Sequence, residues 1–273
     1  MQVINTNVSS LTAQRALSST QEAQKTAMER LSSGTRINHA KDDAAGMSVA
    51  SDMTSQIRTL NQAVRNSNDG ISYVQTAEGA LGEVSDMLQR IRELAVQADG
   101  GTLNSSQQDY IDMEVDALGA EIGNVVSNTK YNGIKVFTSG QQTLQAGWDD
   151  SDTINIGVAV GLSANLAVAI GFSATAGVAD ASNLSLSSID TAMEKVNEAR
   201  STLGAQHNRL EHNASNLMNV SENLSAARSR ILDTDFAAET AELARTNVLQ
   251  QAGMAMLSQA NVSSQNVLSL LGK

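Results

Sequence analysis

From Ile189 to Ile231 an aliphatic residue returns every seventh position: Ile189, Val196, Leu203, Leu210, Leu217, Leu224 and Ile231. Ala192, Ala199, Val220 and Ala227 fill many of the i+3 positions between them, and Gln206 and Asn213 stand in that second row. A repeat of seven on a helix of 3.6 residues per turn forms a narrow stripe that winds slowly around the axis, so it can be buried only by a left-handed supercoil with other helices. A helix of roughly 45 residues, about 65 Å long, is expected here, and its polar Gln206 and Asn213 weaken the seam while fixing its register.

The first half answers this stripe. Ile57, Leu60, Val64, Ile71, Val74, Ala77, Leu81, Val84, Leu88, Ile91 and Ala95 step by three and four, with Ser67 filling one position and a doubled three-step around Val74 that predicts local overwinding. Gly100-Gly101 should end that helix, and Ser105 with Gln108 reads as a capping box opening another, past Ile111, Val115, Leu118, Ile122 and Val125. The chain has no proline, no cysteine and only three Phe, three Tyr and one Trp. Its cores must therefore be narrow aliphatic seams, each buried Leu or Ile contributing about 1.5–3 kcal/mol.

Between the halves the period changes to two. Asn132-Gly133 is a turn dipeptide, and Leu144, Ala146 and Trp148 alternate before Asp149-Asp150-Ser151-Asp152, with Ile154, Ile156 and Val158 alternating after it. A β-hairpin is expected, with the Asp cluster as its solvated turn, since the ligand spacing of a calcium loop is missing. The uncharged stretch Thr153 to Ala179 is broken by Gly157, Gly161 and Gly171 and by polar residues, so no membrane span is expected from it.

The ends are weaker helices. Residues 5–33 place Val8, Leu11, Leu17, Ala27, Met28 and Leu31 among many Ser, Thr and Gln, and residues 236–271 do the same with Leu243, Leu249, Ala252, Met256, Val267 and Leu270. Neither stripe is long enough to hold a helix alone. Residues 1–41 carry five basic and two acidic groups, whereas residues 231–273 carry two and four. The opposite signs favour pairing the ends, modestly. An antiparallel hairpin of the whole chain follows: a mainly α, long helical and coiled-coil bundle with both termini at one end and the small β region at the far end.

The same residues exclude several chemistries. His39, His207 and His212 lack the i, i+4 spacing and neighbouring Glu of a helical zinc site, no thiol exists, and no nucleophile–base pair or phosphate loop appears, so no enzyme, cofactor or metal is expected. A net charge of -11 disfavours nucleic acid. No basic, apolar signal peptide opens the chain.

Several segments together resemble the bacterial flagellins. Ile4-Asn5-Thr6-Asn7, Leu31-Ser32-Ser33-Gly34 before Arg36-Ile37-Asn38, Lys41-Asp42-Asp43-Ala44-Ala45-Gly46-Met47 and Leu88 to Gln97 match in the first half. Glu222 to Ile231, Asp235-Phe236-Ala237, Gln250-Gln251-Ala252-Gly253 and Gln265 to Leu271 match in the second. Only about forty residues, Gly140 to Ala181, stand where many flagellins carry outer domains, so the likeness is to a short form. Ser263-Ser264 stands where many relatives have proline, which lets the last helix run on.

The resemblance implies a filament subunit for motility, secreted unfolded by the flagellum's type III apparatus and added at the extracellular tip. It implies an N-terminal arm over residues 1–43, a rod over 44–230 with the β-hairpin region at about 132–180, and a C-terminal arm over 231–273. Subunit assembly would fall to Leu11, Leu17, Leu31, Leu243, Leu249, Met256, Val267, Leu270 and Leu271 on the arms, which fold as neighbours complete them. The implied partners are other copies, the cap and hook-associated junction proteins, a type III export chaperone at the C-terminal region, and the vertebrate Toll-like receptor that senses flagellin. Gln89, Arg90, Leu94 and Glu114 match the positions implicated in that last recognition, although Arg90 and Glu114 also read as a plain surface ion pair. A hook–filament junction protein and a type III secreted coiled-coil effector are the competing readings.

Overall fold

A computed structural model describes residues 6–137, 140–158 and 185–271, with the side chains of the last helix described as far as residue 262. The elements are α1 (Val8–Ser33), α2 (Ala44–Ala98), α3 (Ser105–Asn128), β1 (Lys130–Tyr131), β2 (Ile134–Lys135), β3 (Gln142–Gln145), β4 (Thr153–Ile156), α4 (Leu186–Leu232) and α5 (Phe236–Leu271). Helix dominates, and α5 passes through Ser263-Ser264 without a break. The segment Gly161 to Ala179 lies outside the described residues.

Two compact units result: Met1–Ser55 with Asn223–Lys273, and Gln56–Glu222. Both arms thus belong to the first unit and all four strands to the second, while α2 and α4 contribute residues to each.

The core of the second unit follows the predicted seams, with changes; in α3, Gly119 and Val126 are buried in place of the expected Leu118 and Val125, which are only partly buried. In α2 one buried row runs Ile57, Leu60, Ala63, Ser67, Gly70, Val74, Ala77, Leu81, Val84, Leu88, Ile91 and Ala95, alternating three and four from Leu60 onward. Val64 and Ile71, expected in this row, are only partly buried, and the doubled three-step lies at Ile57-Leu60-Ala63 instead of around Val74. The reason lies at Gly70, where an added Cβ would stand 2.8 Å from Leu144 Cδ2 and 3.3 Å from Leu210 Cδ1. Here the hairpin and α4 come so close that only Ala, Ser and Gly fit beneath them.

Three further expectations shift. Asn104, not Ser105, caps α3, its side chain accepting from Gln107 N while Gln107 returns the bond to Asn104 N. Ser105 is already helical, and an Asn carbonyl caps as well as a hydroxyl. In α4 the row takes Ala214 and Ser221 in place of Val220, which stays exposed. The hairpin β3–β4 pairs Leu144 with Ile154 and Gln142 with Ile156, as the alternation requires, burying Ala146, Ile154, Ile156 and Val158. Trp148 lies beyond the last paired residue and is 55% exposed. The smaller β1–β2 hairpin turns at Asn132-Gly133 with both φ positive. It delivers Val136 and Phe137 to the core, where Val136 O accepts from the Tyr73 hydroxyl at 3.1 Å.

The polar residues of the α4 seam hold the larger hairpin in place. Gln206 Nε2 donates to Gly157 O and its Oε1 accepts from Gly157 N, both at 2.9 Å. Asn213 Nδ2 donates to Ala146 O at 2.9 Å and to Ser67 Oγ at 3.3 Å. Gly157 has φ +107°, so the residue that receives the Gln206 clamp is one that needs glycine.

Candidate assembly interface

The arms are joined at a compact corner. Gly34, left-handed at φ 73°, ends α1 and returns a bond to Arg30 O. Thr35 then bridges Asp233, Arg36 N donates to Leu232 O, and Thr234 N donates to Gly34 O at 3.1 Å. Asp235 Oδ1 accepts from Ala237 N and Ala238 N and so starts α5. Nearby, the Asp42 carboxylate accepts from the amides of His39 and Asn38, which hold its pKa below the usual aspartate value.

From this corner α1 and α5 run antiparallel. Arg30 faces Glu239 at 3.7 Å, Gln24 donates to Asn247 at 2.6 Å, and Asn7 donates to Ala260 O at 3.0 Å, so numbers rise along one helix as they fall along the other. The less exposed residues of α1 include Ser10, Ala13, Leu17, Thr20, Gln24, Ala27 and Leu31, and those of α5 include Leu243, Thr246, Gln250, Gly253, Leu257 and Ala260. Each set alternates three and four, the spacing of a supercoiled pair. Leu17 Cδ1 lies close over Gly253.

This seam is thin. Only Ala27 in α1 and Thr246 in the described part of α5 are buried. Meanwhile Val8, Leu11 and Met28 on α1, and Phe236, Val248, Leu249, Met254, Met256 and Val262 on α5, are exposed, Met256 at 65%. Val8 and Val248 fall two positions before a seam residue and Val262 two positions after one, which puts them on the side of each helix turned away from the partner arm. Large apolar side chains are thus concentrated on the exposed sides of both arms.

The predicted assembly residues therefore divide. Leu17, Leu31 and Leu243 enter the intramolecular seam, whereas Leu11, Leu249 and Met256 lie exposed beside it. Val267, Leu270 and Leu271 sit on α5, but their side chains fall outside the described residues. The sequence does not single out Val248, Met254 and Val262, and Val8 stands there only as an apolar residue of its helix; their outward positions can be picked out only once Ala27 and Thr246 fix the seam.

The second residue group lies in the other unit. Arg90 reaches from α2 to Glu114 on α3, with Nη2 2.8 Å and Nε 3.0 Å from Glu114 Oε1, and its Nη1 is 3.1 Å from Glu93. Both carboxylates raise the Arg90 pKa, Glu114 the more. Gln89 is exposed beside this cluster, while Leu94 is buried in the core beneath it. Being exposed, the ion pair is screened by water and is at most weakly stabilising.

Comparison with known proteins decides what the surface belongs to. Residues 4–143 match the family model of the bacterial flagellin N-terminal helical region, and residues 186–271 that of the C-terminal helical region. The chain belongs to the bacterial flagellin family. It is 45% identical to a flagellin of Halalkalibacterium halodurans and 40% identical to the flagellar filament 31.3 kDa core protein of Treponema maltophilum. Each alignment covers 98% of this chain and 99% of the relative, so the short form is common to all three. A solved structure from Vibrio parahaemolyticus, described as flagellar hook-associated, shares the fold at TM-score 0.58 and 14% identity, over 70% of this chain and all of that one. As a flagellin the chain is a structural subunit that polymerises with its own copies into the extracellular flagellar filament, and the full-length matches disfavour the junction-protein and effector readings. No helix among the described residues is long and apolar enough to cross a membrane.

Proposed function

We propose that the paired arms α1 and α5 are the surface on which flagellin copies join, and that their folding is completed by assembly. One observation carries the reading: nine large apolar side chains stand exposed on two helices that between them bury only one alanine and one threonine among the described residues. Burial of such a side chain contributes about 1.5–3 kcal/mol, so neighbouring arms supply stabilisation that the isolated pair lacks. Folding and polymerisation are then linked, and the arms become more stable as copies accumulate. Outward apolar residues on both helices call for more than one neighbour, which suits a tube rather than a dimer. Removal of residues 1–40 or 231–273 should leave a helical second unit that neither grows from filament seeds nor blocks intact subunits from doing so. Normal filaments by electron microscopy from either truncation would refute the reading.

The same thin seam suits the rest of the family's life cycle. Arms that are marginal alone pass easily through a type III export channel, offer α5 to an export chaperone, and fold under the cap or against the hook-associated junction proteins. A chain without Cys or Pro forms no disulfide and waits on no prolyl isomerisation along that route.

A second reading rests on the Arg90–Glu114 cluster. These exposed charges, with Gln89 beside them and Leu94 supporting them from below, form a rigid polar patch for the vertebrate flagellin-sensing Toll-like receptor. In a receptor reporter assay, monomers carrying Arg90→Ala or Glu114→Ala should lose at least about tenfold in potency, as expected when one partner of an interface charge is removed. Unchanged potency would restrict both residues to bracing α3 against α2.

A further inference from the structure

Five methionine side chains are exposed among the described residues, and the arms carry three of them: Met28 on α1, and Met254 and Met256 on α5. The other two, Met113 and Met218, belong to the second unit. Along the arms the three are placed by the seam. Met28 and Met254 each follow a seam residue, Ala27 and Gly253, and Met256 precedes another, Leu257. One residue turns a helix by about 100°, so Met254 and Met256 stand on opposite flanks of α5, beside the seam and open to water.

Nothing in the packing of the arms asks for sulfur at these positions. Leucine has nearly the same volume and helix propensity, and the chain uses it at the exposed positions Leu11 and Leu249 of the same helices. What a thioether adds is a reversible reaction. Its sulfur takes one oxygen atom from a peroxide: the O–O bond breaks, an S=O bond forms, the sulfur is oxidised by two electrons, and the peroxide leaves as water or an alcohol. A methionine sulfoxide reductase undoes the step, with a dithiol oxidised to its disulfide and the oxygen released as water. The sulfoxide is polar where the thioether was apolar. In water it is tolerated, but beneath a neighbouring chain its oxygen is buried without a donor.

We propose that Met28, Met254 and Met256 form a reversible oxidation site that governs entry into the filament. Peroxide converts them to sulfoxides in the free subunit and bars that subunit from assembly, whereas the finished filament covers the same thioethers and keeps them reduced. The inference rests on the arms being the surface on which copies join. Met113 at 66% and Met218 at 52% are as exposed as the arm methionines, so peroxide reaches all five in the free subunit. The two sets differ in what assembly then demands of them.

The test needs no altered chain. Free subunits partly oxidised with hydrogen peroxide are offered to filament seeds, and the sulfoxide at each methionine is measured by peptide mass spectrometry in the filaments and in the protein left behind. At Met28, Met254 and Met256 it should be at least about fivefold scarcer in the filaments, with a smaller depletion at Met113 and Met218. Treating the excluded subunits with a methionine sulfoxide reductase and a dithiol should return them to growth. Equal sulfoxide in both fractions at the three arm positions, depletion no greater there than at Met113 and Met218, or exclusion that survives full reduction would overturn the proposal. Peroxide added to finished filaments separates this inference from the reading beneath it, because the arm methionines should then oxidise severalfold more slowly than in free subunits. Equal rates would contradict the arms as the joining surface, whereas shielded arm methionines together with unhindered entry of oxidised subunits would contradict the oxidation site alone.

Discussion

Gln206 and Asn213 do more than interrupt a heptad seam. Their side chains hold backbone groups of the β3–β4 hairpin, Gln206 taking both the N–H and the carbonyl of buried Gly157. Had both been leucine, the α4 stripe would read as an uninterrupted coiled coil and the hairpin would lose its polar anchors. Gln206→Leu gains a little apolar area but leaves the Gly157 amide and carbonyl without their partner, and each orphaned buried group costs about 1–3 kcal/mol. Chemical denaturation of monomers should show the second unit destabilised by at least about 1 kcal/mol with an unchanged m-value. An unchanged midpoint would mean that apolar contacts alone fix the hairpin. The sequence identified these two residues as breaks in a periodic row but could not indicate what they hold, because a hydrogen bond spanning 49 positions leaves no mark on local spacing.

At the scale of elements, legibility tracked periodicity. The seven-spaced α4 row from Ile189 to Leu217, the α2 row from Val74 onward and the alternation around Ile154 and Ile156 all reappear as buried surface, since these periods are the helix and strand geometry itself. Leu224 and Ile231, at the end of the α4 row, are only partly buried. The errors fell where side-chain size, not hydrophobicity, chose the buried residue. Ala63 and Gly70 displaced Val64 and Ile71 because the hairpin and α4 press against α2 there. Trp148 continues the alternation of Leu144 and Ala146, yet pairing ends at Gln145 and the indole is left more than half exposed. The arms were legible as weak helices, and their seam positions became identifiable once the antiparallel register through Arg30–Glu239 and Asn7–Ala260 was known.

At the scale of the molecule, the two units differ in how they satisfy their apolar residues. Gln56–Glu222 buries a continuous core running from Tyr73 through Phe137 to Leu210, whereas the unit holding both arms leaves Val8, Leu11, Val248 and Met256 in contact with water. That asymmetry is what a polymer subunit requires: one part stable enough to persist between export and assembly, and one part whose stability is supplied by neighbours. Composition serves the same end, since aliphatic seams without proline or disulfides can form quickly from an unfolded chain. The most direct measurement is amide hydrogen exchange, read by mass spectrometry on free subunits and on filaments. Peptides from α1 and α5 should exchange rapidly in the free subunit and be protected by orders of magnitude in the filament, while peptides covering residues 73–98 and 186–210 are slow in both. Arms that are as well protected in the free subunit as in the filament would contradict the account.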